Sequence, residues 1–470
     1  MEELSSARPR VALLATGRAT FVEEVGRSVH RRALALLGDL GAEVHGPVEL
    51  VAAAEEVGEA GLVSDPAALP VLLCATFADA SVALSAFGRS QRPVILWAVR
   101  DPAPVGERLY LNSLCGANLA AHALVRAGVE VRLLYGDPEE QSVRDELALA
   151  LAGRPGEPAA GSAEPLGELA PEAEVRDALD RLRGRRIGAV GEAPLGFTTC
   201  EYDADWLRST LGLDVAPLAL DALFSRIEAV PGDRRRGVVA EAAAESPSVL
   251  RLEPREVDLF GATTVALGDW AREQDLDAIA LRCWPEFPLE LGVCPCSALG
   301  RLASRGIPTQ CERDVNGGAT MLLLKALGAG DTYLADVVAV DEDRGSITCW
   351  HCGLAPGRLA AEPANAWQDV HCNRGIGVVG NFALRPGRVT LARLGWSSSH
   401  RVYVTAGEAV PGPNRFKGNS LDVVLDTDAL HAVRTFVERG FEHHAVLAWG
   451  ELRPQLRQAA RLLDLELVEC

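Results

Sequence analysis

The 470 residues, 48% of them hydrophobic and 24% charged, are too many for one ordinary core and far from the composition of a disordered chain. Lys and Arg number 46 against 65 Asp and Glu, a formal charge of −19 spread along the chain, which excludes broad nucleic-acid binding because phosphate contacts need clustered cations. The short basic runs at residues 181–186 and 234–236 read as solvated turns.

At the start, Met1-Glu2-Glu3-Leu4 has no basic region ahead of an apolar stretch, and no charge-free apolar run of about 18 residues follows. The expectation is a cytoplasmic protein with no membrane partner. Residues 8–16 (RPRVALLAT) read as a strand, and residues 22–38 then take helical periodicity. Apolar strands are predicted at residues 70–76, 93–99 and 129–134, with a helix over 118–128 before the last. Strands alternating with helices imply a mostly parallel sheet covered on both faces. Residues 151–171, rich in Ala, Gly, Pro and Glu, have little to pack and mark a boundary. A second α/β series starts at residues 186–191, includes the strand 278–281 and runs through a helix over 318–327. Beyond about Tyr333 the segments 336–341, 346–350, 375–379, 388–393 and 401–405 are short, β-rich and separated by turn residues; a helix over 451–463 and a strand over 465–468 end the chain. The predicted fold is therefore α/β: two doubly wound, Rossmann-like parallel-sheet domains over 1–160 and 172–335, and a mainly antiparallel β domain over 336–470.

The chemistry-bearing residues are densest from Arg282 to Pro356, which holds six of the eleven cysteines. An odd count at irregular spacing argues for free or metal-bound thiols over a disulfide framework. Cys349 and Cys352 have zinc-ribbon spacing, Cys294 and Cys296 do not, and buried thiols packing as small hydrophobes are the competing reading. Among oxygen donors, Glu312 precedes Asn316-Gly317-Gly318 and an apolar helix, at a strand's carboxyl end where open α/β sheets place their sites. Asp336 follows the run Tyr333-Leu334-Ala335. Both carboxylates could line one crevice, and with a histidine they would suit Mn²⁺ better than a thiophilic ion; taken alone, each reads more readily as a cap or turn residue. His351 is a satisfied core histidine or a site residue. Of the pair His443 and His444, at the start of a strand, alternation sends at most one ring to a given face.

The segment Cys311-Glu312-Arg313-Asp314-Val315-Asn316-Gly317-Gly318, with Asp336 in Leu-Ala-Asp-Val 24 positions later and His444 before an apolar strand, resembles the L-fucose/L-arabinose isomerase family. That resemblance implies a cytoplasmic, metal-dependent interconversion of an aldose and a ketose, on a pentose, 6-deoxyhexose or related modified sugar, through an ene-diolate. It implies Glu312, Asp336 and His444 as ligands of Mn²⁺, or of Co²⁺ or Mg²⁺, with Glu312 and Asp336 as acid and base. His351 has the order of an additional active-site histidine of the arabinose branch. Asn316, Trp350 and Trp284 are further candidates for sugar contacts, although a tryptophan in a Cys-rich apolar loop also reads as core. Arg18, after the first strand, is expected to reach substrate across a subunit boundary, and a homotrimer or homohexamer is implied. The alternatives are a lyase or isomerase of the same scaffold acting on a sulfonated or thio-substituted sugar, a non-enzymatic sugar-binding protein, and a thiol redox protein using Cys349 and Cys352.

Overall fold

The computed structural model describes residues 8–58, 65–159, 161 and 167–470. Met1–Leu4 and residues 160 and 162–166 of the expected linker lie outside the described residues. The chain divides into two compact units: Met1–Pro102 with Tyr110–Ala160 and Val433–His443, and Ala103–Leu109 with Gly161–Ala432 and His444–Cys470.

In the first unit, β1 (Arg10–Ala15), β2 (Glu43–His45), β3 (Leu69–Cys74), β4 (Val94–Ala98) and β5 (Val131–Tyr135) form a parallel sheet in the order β2-β1-β3-β4-β5. β3, β4 and β5 are buried along their whole length, which is why they read as unbroken apolar runs rather than alternating ones. The helix Glu23–Asp39 lays Val29, Ala33, Leu36 and Leu37, spaced by three or four, into the core beside Val11, Leu13 and Val71. The helix expected from Asn118 begins at Ser113. Its entry is fixed by Asp101, whose carboxylate accepts the N–H groups of Tyr110, Leu111 and Asn112, a long-range tie that periodicity does not register.

The second unit carries two sheets. β6 (Arg186–Val190), β7 (Asp214–Leu218), β8 (Ala278–Leu281) and β9 (Thr309–Gln310) are parallel in the order β7-β6-β8-β9. The chain order reverses between β6 and β8, and sites in such sheets open at the carboxyl ends of strands near that reversal. The other sheet contains β10 (Thr332–Asp341), β11 (Ser346–His351), β12 (Trp367–Val370), β13 (Gly377–Ala383), β14 (Gly387–Trp396), β15 (His400–Val410), β16 (Asn419–Leu425), β17 (His444–Trp449) and β18 (Glu466–Glu469). Their order is β12-β13-β16-β11-β10-β17-β14-β15-β18, and β15 also pairs with β16. Six strands, β16-β11-β10-β17-β14-β15, thereby close into a ring of antiparallel pairs; the pairings β13–β16 and β15–β18 are parallel. The α/β class with two parallel sheets and a mostly antiparallel third is the one read from the sequence. Among the described residues, no helix is long and apolar enough to cross a membrane.

Trp97, fully buried on β4, donates its indole N–H to the Gly136 carbonyl at 2.9 Å. Trp97→Ala removes the ring and leaves that carbonyl without its donor, and is expected to cost about 3–5 kcal/mol, read as a lower urea midpoint for loss of the first unit's circular dichroism.

Candidate active site

Two of the expected residues meet because of strand register. β10 runs antiparallel to β17 with Asp336 directly opposite His444, while on its other side β10 sets Asp336 opposite Trp350 of β11. Directly opposed residues on one face bring their side chains within contact range. His444 Nε2 lies 3.7 Å from Asp336 Oδ1. The sequence placed Asp336 at a junction; instead β10 begins at Thr332, four residues earlier, so the carboxylate projects from the body of a strand.

Glu312 arrives from the other sheet. It follows β9 in a loop anchored at the carboxyl end of β8, where Arg313 N–H donates to Leu281 O at 3.0 Å and Glu312 N–H to Cys283 Sγ at 3.4 Å. Glu312 and Arg313 both take left-handed backbone angles, φ 59 and 60, a conformation that costs an ordinary residue roughly 1–2 kcal/mol. The bend sends Glu312 Oε2 to 3.7 Å from His444 Nε2, and Trp284 Nε1 donates to Glu312 Oε1 at 3.1 Å. One imidazole nitrogen is thus equidistant from two carboxylates. At 3.7 Å neither contact is a hydrogen bond, whereas atoms bound at about 2.0–2.2 Å to one cation lie roughly 3–4.4 Å apart.

The residue that fixes this arrangement is Asp314, which the sequence reading passed over. Its carboxylate is fully buried and accepts Arg393 Nη1 at 2.6 Å, Arg393 Nη2 at 2.9 Å, Gly317 N–H at 2.8 Å and His444 Nδ1 at 3.0 Å. Burial pushes the Asp314 carboxyl up, but the Arg393 guanidinium and the His444 imidazole outweigh it and hold the group well below the usual carboxylate range. With Nδ1 turned to Asp314, the ring presents Nε2 to Glu312 and Asp336. Asp314 is also the N-cap of the helix Val315–Ala326, so the cap role weighed for Glu312 falls two residues later. A Cβ at Gly317 would stand 2.5 Å from Asp314 Oδ2, which accounts for glycine at that point of the Asn-Gly-Gly turn.

Asp336 Oδ1 is buried and accepts no hydrogen bond among the described residues. A desolvated carboxylate oxygen without a donor is costly, and a cation shared with Glu312 and His444 would offset that cost. The donor set of two carboxylates and one imidazole suits a divalent ion of borderline hardness, and each carboxylate stands at a ligand-to-ligand distance from His444 Nε2, so by donor type these residues fit the cation expected from the sequence.

His351 closes β11, buried, with its ring centroid 5.3 Å from that of His444. Burial opposes the charged form of His351, but the neighbouring Cys352 lifts its pKa above the ordinary value. Asn316 is buried at the start of its helix and donates to Glu201 O at 3.2 Å. Trp350, opposite Asp336 on β11, donates its indole N–H to Lys417 O at 2.8 Å and packs with Leu109, Val338 and Phe416, its ring stacked on that of His351 with centroids 6.2 Å apart. Arg18 belongs to the first unit, where its backbone N–H donates to Thr76 Oγ1. Cys349 is buried within β11, and Cys352 lies beside Cys296. The signal for Asp314 was present as an Asp three residues ahead of a glycine at a helix start; Arg393, 79 residues away on β14, carried none. Asp314→Asn strands the buried Arg393 charge and is expected to cost about 3–5 kcal/mol, measured by chemical denaturation, with Asp314→Asn/Arg393→Met recovering part of the loss.

No protein-family model matches the chain. Three curated relatives match it nearly end to end. A sulfoquinovose isomerase of Alkalicoccus urumqiensis is 33% identical over 463 residues, 98% of this chain and 99% of the relative. One of Priestia aryabhattai is 30% identical over 96% of each chain, and one of Clostridium sp. (strain MSTE9) is 29% identical over 97% of this chain and 98% of its own. With that identity over essentially the full length of both chains, this protein belongs to the sulfoquinovose isomerase family and is an aldose–ketose isomerase.

Proposed function

We propose that this isomerase interconverts sulfoquinovose, a sulfonated sugar, and its ketose isomer, with a divalent cation, Mn²⁺ first among the candidates, held by Glu312, Asp336 and His444. The observation that carries the metal assignment is the buried Asp336 Oδ1 without a donor, facing the same imidazole nitrogen as Glu312. The substrate rests on the name shared by the relatives, and the chemistry agrees with the resemblance to the L-fucose isomerases in the order Glu312, Asp336, His444. An oligomer of three or six chains belongs to the same proposal.

When bound, the cation supplies Lewis acidity that makes the hydrogen on the carbon beside the carbonyl easier to remove. The protein's groups do the rest. In the aldose-to-ketose direction, one carboxylate, assigned to Glu312, takes the proton from C2 and returns it to C1, while a proton passes from the C2 hydroxyl to the oxygen at C1. The intervening species is an ene-diolate. Asp336, across the imidazole, is the second acid/base group. The Trp284 N–H orients the Glu312 carboxylate through Oε1, and Asp314 fixes the orientation of the His444 ring through Nδ1. His351, with its ring centroid 5.3 Å from that of His444, and Asn316, near the start of the helix that Asp314 caps, are the assigned sugar contacts.

Glu312→Gln is isosteric and is expected to keep native circular dichroism while turnover of sulfoquinovose, followed by NMR of the product, falls about 10²–10⁴-fold. Turnover retained in this variant overturns the acid/base assignment. Chelation of divalent ions is expected to abolish activity, and Mn²⁺ to restore it; activity indifferent to chelation removes the metal. A panel including pentoses and 6-deoxyhexoses tests the substrate, since faster turnover of an unsulfonated sugar would displace sulfoquinovose.

A further inference from the structure

Besides the carboxylate and imidazole donors, the second unit gathers thiols. Cys296 opens the helix Cys296–Ser304, Cys311 directly follows β9, and Cys352 directly follows β11. Their sulfur atoms all lie within 4.8 Å of one another, although the three residues come from separate stretches of chain. Cys296 Sγ and Cys352 Sγ are 3.8 Å apart.

We infer that Cys296, Cys311 and Cys352 form a second metal site, one that takes a thiophilic cation, Zn²⁺. Zinc–sulfur bonds of about 2.3 Å at tetrahedral angles put the sulfurs roughly 3.8 Å apart, the separation seen between Cys296 and Cys352. A disulfide needs about 2.05 Å and would leave the third thiol unused. Thiolates select soft ions, whereas two carboxylates and an imidazole do not, so the two neighbouring donor sets sort different metals. Binding displaces three thiol protons to solvent, leaving three thiolates and the dication with a net charge of −1. The fourth position falls to water or to Cys283, whose sulfur already accepts the Glu312 N–H at 3.4 Å. His351 Nδ1, although 3.3 Å from Cys352 Sγ, is engaged by the Cys352 N–H at 2.9 Å.

The site acts as a brace. Cys311 directly precedes Glu312 and Cys352 directly follows His351, so one ion ties together the two backbones that present those residues and fastens both to the helix at Cys296. Its role is structural, and it stands whether or not the acid/base assignment holds.

The test uses the full-length protein, purified anaerobically under reducing conditions and given one equivalent of Zn²⁺. Zinc K-edge X-ray absorption is expected to show a sulfur shell at about 2.3 Å with at least three scatterers, unchanged in Glu312→Gln and in His444→Gln. In competition with a chromophoric chelator, Cys296→Ser is expected to weaken zinc binding on the order of 100-fold; Cys352→Ala provides the same reading should the first variant fold poorly. Zinc surrounded only by oxygen and nitrogen overturns the proposal. So does an affinity that neither variant changes, or a Cys296–Cys352 disulfide in the anaerobically isolated protein.

Discussion

A buried carboxylate that must satisfy a guanidinium, an imidazole and a helix terminus at once is the constraint on which the site depends. Asp314 accepts four donors, two from Arg393 and one each from His444 and Gly317, and Arg393 and His444 together offset the cost of burying the ionised group. The clamp joins the loop after β9 to strands β14 and β17, so the parallel sheet and the closed ring of the second unit are locked at one point. His444 gains its orientation from this contact, and the direction of its other nitrogen follows.

The two sheets divide the work. The ring supplies Asp336 and His444 as opposed residues on adjacent strands, a spacing fixed by backbone hydrogen bonds on both sides of β10. The parallel sheet supplies Glu312 from the end of a strand, where backbone is released from the ladder and can be aimed. Chemistry that moves one proton between neighbouring carbons calls for that combination, because the base must be steered while its partners stay put. The family relationship fits such a scaffold, and variation within the family can act on what surrounds the sugar without touching the register that pairs Asp336 with His444.

Much of this was legible in the sequence. Periodicity located most strands and the α/β class, since parallel strands covered on both faces must be continuously apolar and half-covered strands must alternate. Glu312, Asp336 and His444 were named from a resemblance in residue order, and the fold sets both carboxylates 3.7 Å from His444 Nε2. Less accessible was anything set by partners distant in the chain. The early start of the helix at Ser113 depends on Asp101, and Asp314 gains its meaning only when Arg393 is folded against it. Trp350 was ambiguous for a different reason: an indole serves as sugar platform or as core, and its packing with Leu109, Val338 and Phe416 is visible only in the fold. The cysteines misled at the level of spacing, because the thiols that meet are drawn from three segments rather than from one tight motif.

Two successive residues in the left-handed region let the chain reverse within Glu312 and Arg313 alone. A gentler loop would need more residues to deliver the carboxylate to the same place, and each would add its own torsional play. By turning so abruptly, the backbone keeps Glu312 two residues from β9 and tied through the Arg313 N–H to Leu281 O at the end of β8. Conformational strain is here exchanged for positional accuracy, and the carboxylate proposed to carry a proton between neighbouring carbons stands on a very short lever.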